Sequence, residues 1–167
     1  MQLSPHFSYE ALVDSDTATW LGIDNTPPDE IKARLVTLAA GLERVRLVLN
    51  APMLIKSGYR CEALEKVLCA KDYAAWCGRR KLTPGPAAWA RYFSTKAHPK
   101  GWAADFIAPA YGPPAAVVKA VVKAGLVVDQ IIAEGRWCHV SFDPQMRGQV
   151  LTASFSADGT PTYTQGA

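Results

Sequence analysis

The sequence predicts a single α+β domain, and three observations predict it. An apolar stripe of Ile31, Leu35, Leu38, Leu42, Val45 and Leu49 recurs at helical spacing. Two short runs rich in β-branched and aromatic residues, 126–134 and 137–142, flank Gly135-Arg136, a hairpin dipeptide with Gly first. A chain of 167 residues with 49% apolar and 20% charged residues is long and apolar enough to bury one core.

The elements follow in chain order. Phe7 to Val13 reads as a short helix capped by Ser8. Thr26-Pro27-Pro28-Asp29 opens the long apolar-striped helix, with Thr26 as cap, Pro27 at the first helical position and Asp29 completing a capping-box-like pattern; Asn50-Ala51-Pro52 ends it. Residues 53–60 form a strand running into a Gly turn, with Arg60 just past its end, and a helical segment covers about 62–78. Thr83-Pro84-Gly85-Pro86 breaks that segment, and a short helix, 87–93, leads to the loop of His98. A strand over 102–107 carries Asp105, and a helix over 115–124 stops at Gly125. Beyond the 126–134 and 137–142 strands, residues 150–163 read as a hairpin turning at Asp158-Gly159. One domain spans 1–167, with its core over about 3–150 and a terminal hairpin or tail over 151–167.

The formal charge of +3 and pI near 8.7 fall short of a nucleic-acid footprint, because no Lys/Arg stripe with interleaved aromatics is present. Gly78-Arg79-Arg80-Lys81, the densest basic run, reads as a solvated helix end. No apolar run is long enough to span a bilayer, so no membrane insertion is expected. The N-terminus lacks the basic and apolar regions of a leader, which implies cytoplasmic synthesis without a signal peptide. Cys61, Cys69, Cys77 and Cys138 form no CxxC pair and read as reduced, half-buried thiols rather than a disulfide or second metal site.

The chemistry concentrates in two stretches, Ala97-His98-Pro99-Lys100-Gly101-Trp102-Ala103-Ala104-Asp105-Phe106 and Trp137-Cys138-His139-Val140-Ser141-Phe142. A histidine beside aromatic residues is ordinarily a hydrogen-bonded core residue. An aspartate inside an apolar strand is different, because carboxylates are rarely buried unless paired or metal-bound. His98, Asp105 and His139 together supply the three protein ligands of a catalytic zinc, leaving a fourth position open. The Gly135-Arg136 turn pairs Glu134 with Trp137 and Ile132 with His139, which puts Glu134 and His139 on one face of the hairpin. Glu134 is therefore the candidate proton shuttle and Asp143 the reserve, while Asp129 falls on the opposite face. The guanidinium fork of Arg60 suits a substrate carboxylate, and Trp137 and Trp102 are candidate pocket walls.

With these residues in place, the sequence resembles the zinc D-alanyl-D-alanine peptidases of the M15 type, especially their compact phage and bacterial subgroup. The resemblance rests on Ser57-Gly58-Tyr59-Arg60, His98-x-x-Gly101-x-Ala103-x-Asp105 and Trp137-x-His139-x-Ser141-Phe142. Leu3-Ser4-x-His6-Phe7 and Gly22-Ile23-Asp24-Asn25-Thr26-Pro27-Pro28 add to it, so that it covers about 3–150. It implies a hedgehog/DD-peptidase-like fold with helices packed on a small antiparallel sheet. It also implies zinc on His98, Asp105 and His139, an acid/base at Glu134, and Arg60 on a substrate carboxylate or developing oxyanion. Three features depart from the family pattern: Lys96 stands where a serine is common, Arg136 occupies the position where many relatives keep their acid/base, and 61–93 is longer than usual.

The expected function is a monomeric zinc metallopeptidase that cleaves peptidoglycan stem peptides, as a phage endolysin does, acting on the cell wall after release from the cytoplasm. The competing expectation is a non-catalytic wall-binding or virion structural module that keeps the fold.

Overall fold

A computed structural model describes residues 1–166. Helix α1 (Tyr9–Val13) is capped by Ser8, whose hydroxyl accepts from the Ala11 N–H, as the sequence implies. Helix α2 (Asp16–Leu21) was not anticipated, although Ser15 caps it in the same way and Gly22 ends it at φ 65°. The long helix α3 (Asp29–Leu49) starts later than the sequence reading placed it. Thr26 does not cap it; its N–H is held by the Asp24 carboxylate at 2.9 Å, and Pro28 is the capping position. Residues before proline avoid the α region, so the Pro27-Pro28 pair keeps the chain extended until Asp29. All six stripe residues of α3 are buried, and Asn50 closes the helix in the left-handed region.

Strand β1 (Leu54–Ser57) leads into three helices: α4 (Glu62–Leu68), α5 (Ala70–Arg80) and α6 (Pro86–Phe93). The helix expected over 62–78 is thus two, broken at Cys69, whose backbone leaves the helical region at φ −100° and ψ 14°. Strand β2 (Ala103–Ile107) and helix α7 (Pro114–Lys123) follow. Next come β3 (Gln130–Glu134), β4 (Trp137–Ser141), β5 (Gln149–Phe155) and β6 (Pro161–Gln165). Strand β3 begins four residues later than expected, because 126–129 form the approach to it.

The six strands form one sheet in the order β1-β2-β4-β3-β5-β6, antiparallel except that β5 runs parallel to β3. Fold class α+β is therefore observed, with a mostly antiparallel sheet and not a wholly antiparallel one. The Gly135-Arg136 hairpin has the expected register, Glu134 opposite Trp137 and Ile132 opposite His139, with Gly135 at φ 64°. One face of the sheet, carrying Ala104, Phe106, Ile131, Ala133, Cys138 and Val140, packs with the α3 stripe and with Val117, Val118 and Val121 of α7 into the main core. The opposite face carries Asp105, His139 and Glu134. Helices α5 and α6 hold a separate aromatic cluster, Trp76, Trp89 and Tyr92 with Cys77. The four cysteines are free thiols.

The parallel return of β5 is pinned by one carboxylate. Asp129, fully buried, accepts from the Arg147 N–H and Nε at 3.0 and 2.9 Å and from the Ser141 hydroxyl at 2.8 Å. Its own carbonyl accepts from the Gln149 N–H, which starts β5 beside β3. Burial raises the Asp129 pKa, but its hydrogen bonds with Arg147 and Ser141 outweigh this and lower it from 3.8 to about 2. A depressed carboxylate stabilises the fold above its unfolded value and ceases to do so as pH falls through the folded value. Asp129→Asn is therefore expected to lose about 2 kcal/mol at neutral pH. Urea unfolding of both proteins from pH 5 down to about 2 checks this, since the difference should shrink across that window.

Among the described residues, no helix is long and apolar enough to cross a membrane.

Candidate metal centre

Two glycines let the chain approach closely enough to build the site. At Gly58 a Cβ would stand 2.3 Å from the Leu12 carbonyl oxygen, so only glycine lets 58–60 run against α1, where the Tyr59 N–H donates to that carbonyl at 2.7 Å. Gly101 turns the His98 loop at φ 74° and sits against Ile31 of α3. The turn is closed by the Gly101 N–H on the His98 carbonyl and the Trp102 N–H on the Ala97 carbonyl. It delivers His98 above β2, where Asp105 lies directly opposite His139 of β4.

The three side chains converge. His98 Nε2 is 3.2 Å from Asp105 Oδ1 and 3.2 Å from His139 Nδ1, and the last two atoms are 2.9 Å apart. All three residues are buried. His98 Nδ1 lies 2.6 Å from the Gly58 carbonyl. A carbonyl only accepts, so Nδ1 carries the proton and Nε2 turns a lone pair toward the other two ligands. Burial and the Arg60 guanidinium lower the His98 pKa, which favours the neutral ring that a metal needs.

A tetrahedral ion with bonds of about 2.0–2.1 Å needs ligand atoms about 3.3–3.4 Å apart. The observed triangle is slightly tighter than that, so the three atoms could hold such an ion after a small outward shift. Among the described residues, this is the one group of three His, Cys, Asp or Glu side chains close enough to hold a metal. Two imidazoles and a carboxylate are compatible with zinc without identifying it.

Arg60 sits behind the site. Its Nη2 donates to Asp105 Oδ2, its Nε donates to the Ser57 hydroxyl at 2.8 Å, and Nη1 lies 3.5 Å from Glu65 Oε2. Burial raises the Asp105 pKa, but His98 and Arg60 outweigh it and hold the carboxyl well below the usual carboxylate range. The clamp on Oδ2 leaves Oδ1 to face the histidines. The sequence reading gave Arg60 to a substrate; three of its five N–H groups are directed at protein groups, which leaves two for that role. Glu65, 1% exposed, is the member that sequence reasoning missed. Its signal is an acidic residue five positions after the arginine, directly after Leu64 in a helix. Replacing Arg60 by lysine keeps a charge but loses the fork, so metal affinity is expected to fall about 10–100-fold. Competition with a chromophoric chelator measures it.

Glu134 occupies the same face. Trp137 Nε1 donates to its Oε2 at 2.7 Å, which leaves Oε1 without a protein partner among the described residues. Burial, countered by His139 and reinforced by Asp105, raises its pKa above 4.5. Glu134 and Trp137 line a cleft of about 1420 Å³ together with Arg60 and all three metal-site residues. Leu68, Asp72 and Trp76 of α4 and α5 line it too, so the long 61–93 segment contributes to the cleft.

Two other sequence candidates lie elsewhere. Asp143 accepts from the Gln145 N–H and is 3.9 Å from Lys100, outside the cleft lining. Trp102 packs under Arg34, 5.6 Å from its guanidinium carbon, and walls no part of the cleft. Lys96 bonds Asp72 at 2.9 Å and lies over the Tyr92 ring, which ties the His98 loop to α5 and α6. No family model matches the chain, and no curated protein matches it.

Proposed function

We propose that the chain is a zinc-dependent peptidase of peptidoglycan stem peptides, with the fold of the hedgehog and D-alanyl-D-alanine peptidase group. The observation that carries this reading is the convergence of His98, Asp105 and His139 beside the free Oε1 of Glu134 in one cleft. Bound by these ligands, zinc supplies Lewis acidity that polarises a carbonyl and makes water easier to deprotonate.

The chain's own residues do the remainder. His98 and His139 present lone pairs, and Asp105 presents one oxygen because Arg60 holds the other. Glu134 takes the proton of the attacking water on Oε1 and returns it to the leaving amine, while the Trp137 indole fixes its rotamer through Oε2. A pKa raised by burial brings Glu134 closer to the working pH and makes it a stronger base than an exposed carboxylate. Arg60 lines the cleft, and its two N–H groups not directed at protein remain for a substrate carboxylate or oxyanion.

The test is mass spectrometry of muropeptides after incubating purified peptidoglycan with the zinc-loaded protein and, in parallel, with its His98→Ala form. New stem-peptide fragments are expected only with the former, and their masses name the bond. An unchanged profile with zinc still bound, on walls of both Gram types, would assign the chain to wall binding without cleavage.

A further inference from the structure

The terminal hairpin, 149–165, is joined to the site by the register of the sheet. Asp105, His139, Ile132, Leu151 and Gln165 form one row across β2, β4, β3, β5 and β6. Side chains two residues along a strand share a face, so Ala153 and Tyr163, which oppose each other, stand on the metal-binding face. They are also level with Glu134, since Ile132 pairs with Leu151 in parallel. In the register of the sheet, Ala153 holds the position between Glu134 and Tyr163. Two strand spacings of about 4.7–4.9 Å separate their backbones, a gap that a tyrosine leaning over an alanine largely spans.

The hairpin is held where this matters. Phe155 packs against Trp137 with ring centroids 6.5 Å apart, and Lys71 of α5 donates to the Asp158 carbonyl at 2.7 Å across the cleft. Tyr163 lines the same cleft as Glu134 and His139 and is 40% exposed. Its hydroxyl makes no hydrogen bond to another described residue, which leaves it available to a ligand in the cleft. Desolvation by the cleft walls, and then the carboxylates of Glu134 and Asp72, raise its pKa, so it stays a proton-bearing donor at neutral pH.

We propose that Tyr163 is a substrate-contacting residue whose phenol donates a hydrogen bond to a peptide carbonyl or carboxylate held in the cleft beside Glu134. The proposal rests on the peptidase reading above and extends it to a segment outside the 3–150 core expected from the sequence. Tyr163→Phe keeps the ring over Ala153 and removes only the donor, so bound zinc and the unfolding midpoint should not change. Two measurements on the zinc-loaded protein test it: kcat/KM for a soluble muropeptide across pH, and calorimetric binding of the same muropeptide to Glu134→Gln, with and without Tyr163→Phe. Both efficiency and affinity are expected to fall about tenfold, the loss of one hydrogen bond to a polar or charged group. The acid limb of the pH profile should stay in place. Equal affinity with and without the hydroxyl would overturn the proposal while leaving the peptidase reading intact. A shifted acid limb with unchanged binding would also overturn it, by making Tyr163 a positioning residue for Glu134. A wild-type protein that neither cleaves nor binds muropeptides would remove both readings.

Discussion

His98→Ala is expected to abolish both metal binding and peptide cleavage. The substitution deletes one of three ligand atoms and the only one whose lone pair is oriented by a backbone carbonyl, that of Gly58. It also leaves Asp105 and His139 buried around an empty volume, with Asp105 still clamped by Arg60. Metal that binds the native state alone raises stability by mass action, about 2.7 kcal/mol at a hundredfold excess over Kd. Adding zinc should therefore raise the unfolding midpoint of the wild type and leave that of His98→Ala unmoved. A variant that still gains stability with zinc, and still cleaves, would place the metal elsewhere.

Glu134→Gln is expected to separate the metal from the chemistry. The amide keeps the size of the side chain and can still accept from Trp137, so the cleft and the three ligands should persist. What it loses is the proton-accepting oxygen, and removal of a general base costs about 10²–10⁴-fold in rate. Zinc content should match the wild type while kcat falls by that factor. The wild-type profile carries a related sign. Glu134 is active as the ionised carboxylate and its pKa is raised, so activity should decline on the acid side above the usual 4.5, not below it. Turnover that survives Glu134→Gln would remove this residue from the role of base.

Much of the site was legible because its signals are local. An aspartate amid Ala103, Ala104, Phe106 and Ile107 is conspicuous in any apolar strand. The Gly135-Arg136 turn sets the hairpin register by itself, and with it the shared face of Glu134 and His139. The long helix was legible for the same reason, its stripe running unbroken from Ile31 to Leu49. Its start was not: Thr26 reads as the cap, but the Asp24 carboxylate takes its N–H and the two prolines keep the chain extended until Asp29. Asp143 shared the parity of His139, yet parity says nothing once a chain leaves its strand, and Asp143 lies two residues past β4.

The sequence by itself determined the helices and strands with strong periodicity, the hairpin whose turn sets its pairing, and three side chains that could hold a metal ion. The helices and the hairpin depend on spacing and turn chemistry within about ten residues, and each of the three side chains stands out against its own immediate neighbours. The tertiary structure alone decided which way Arg60 points, that Glu65 is buried behind it, and that β5 returns parallel to β3 to bring Tyr163 onto the site's face. The direction of Arg60 and the return of β5 depend on partners far apart in the chain: Asp105 is 45 residues from Arg60, and Arg147 is 18 from Asp129. A buried charge goes to whichever opposite charge the packed chain brings within reach, and that choice exists only once the sheet has closed.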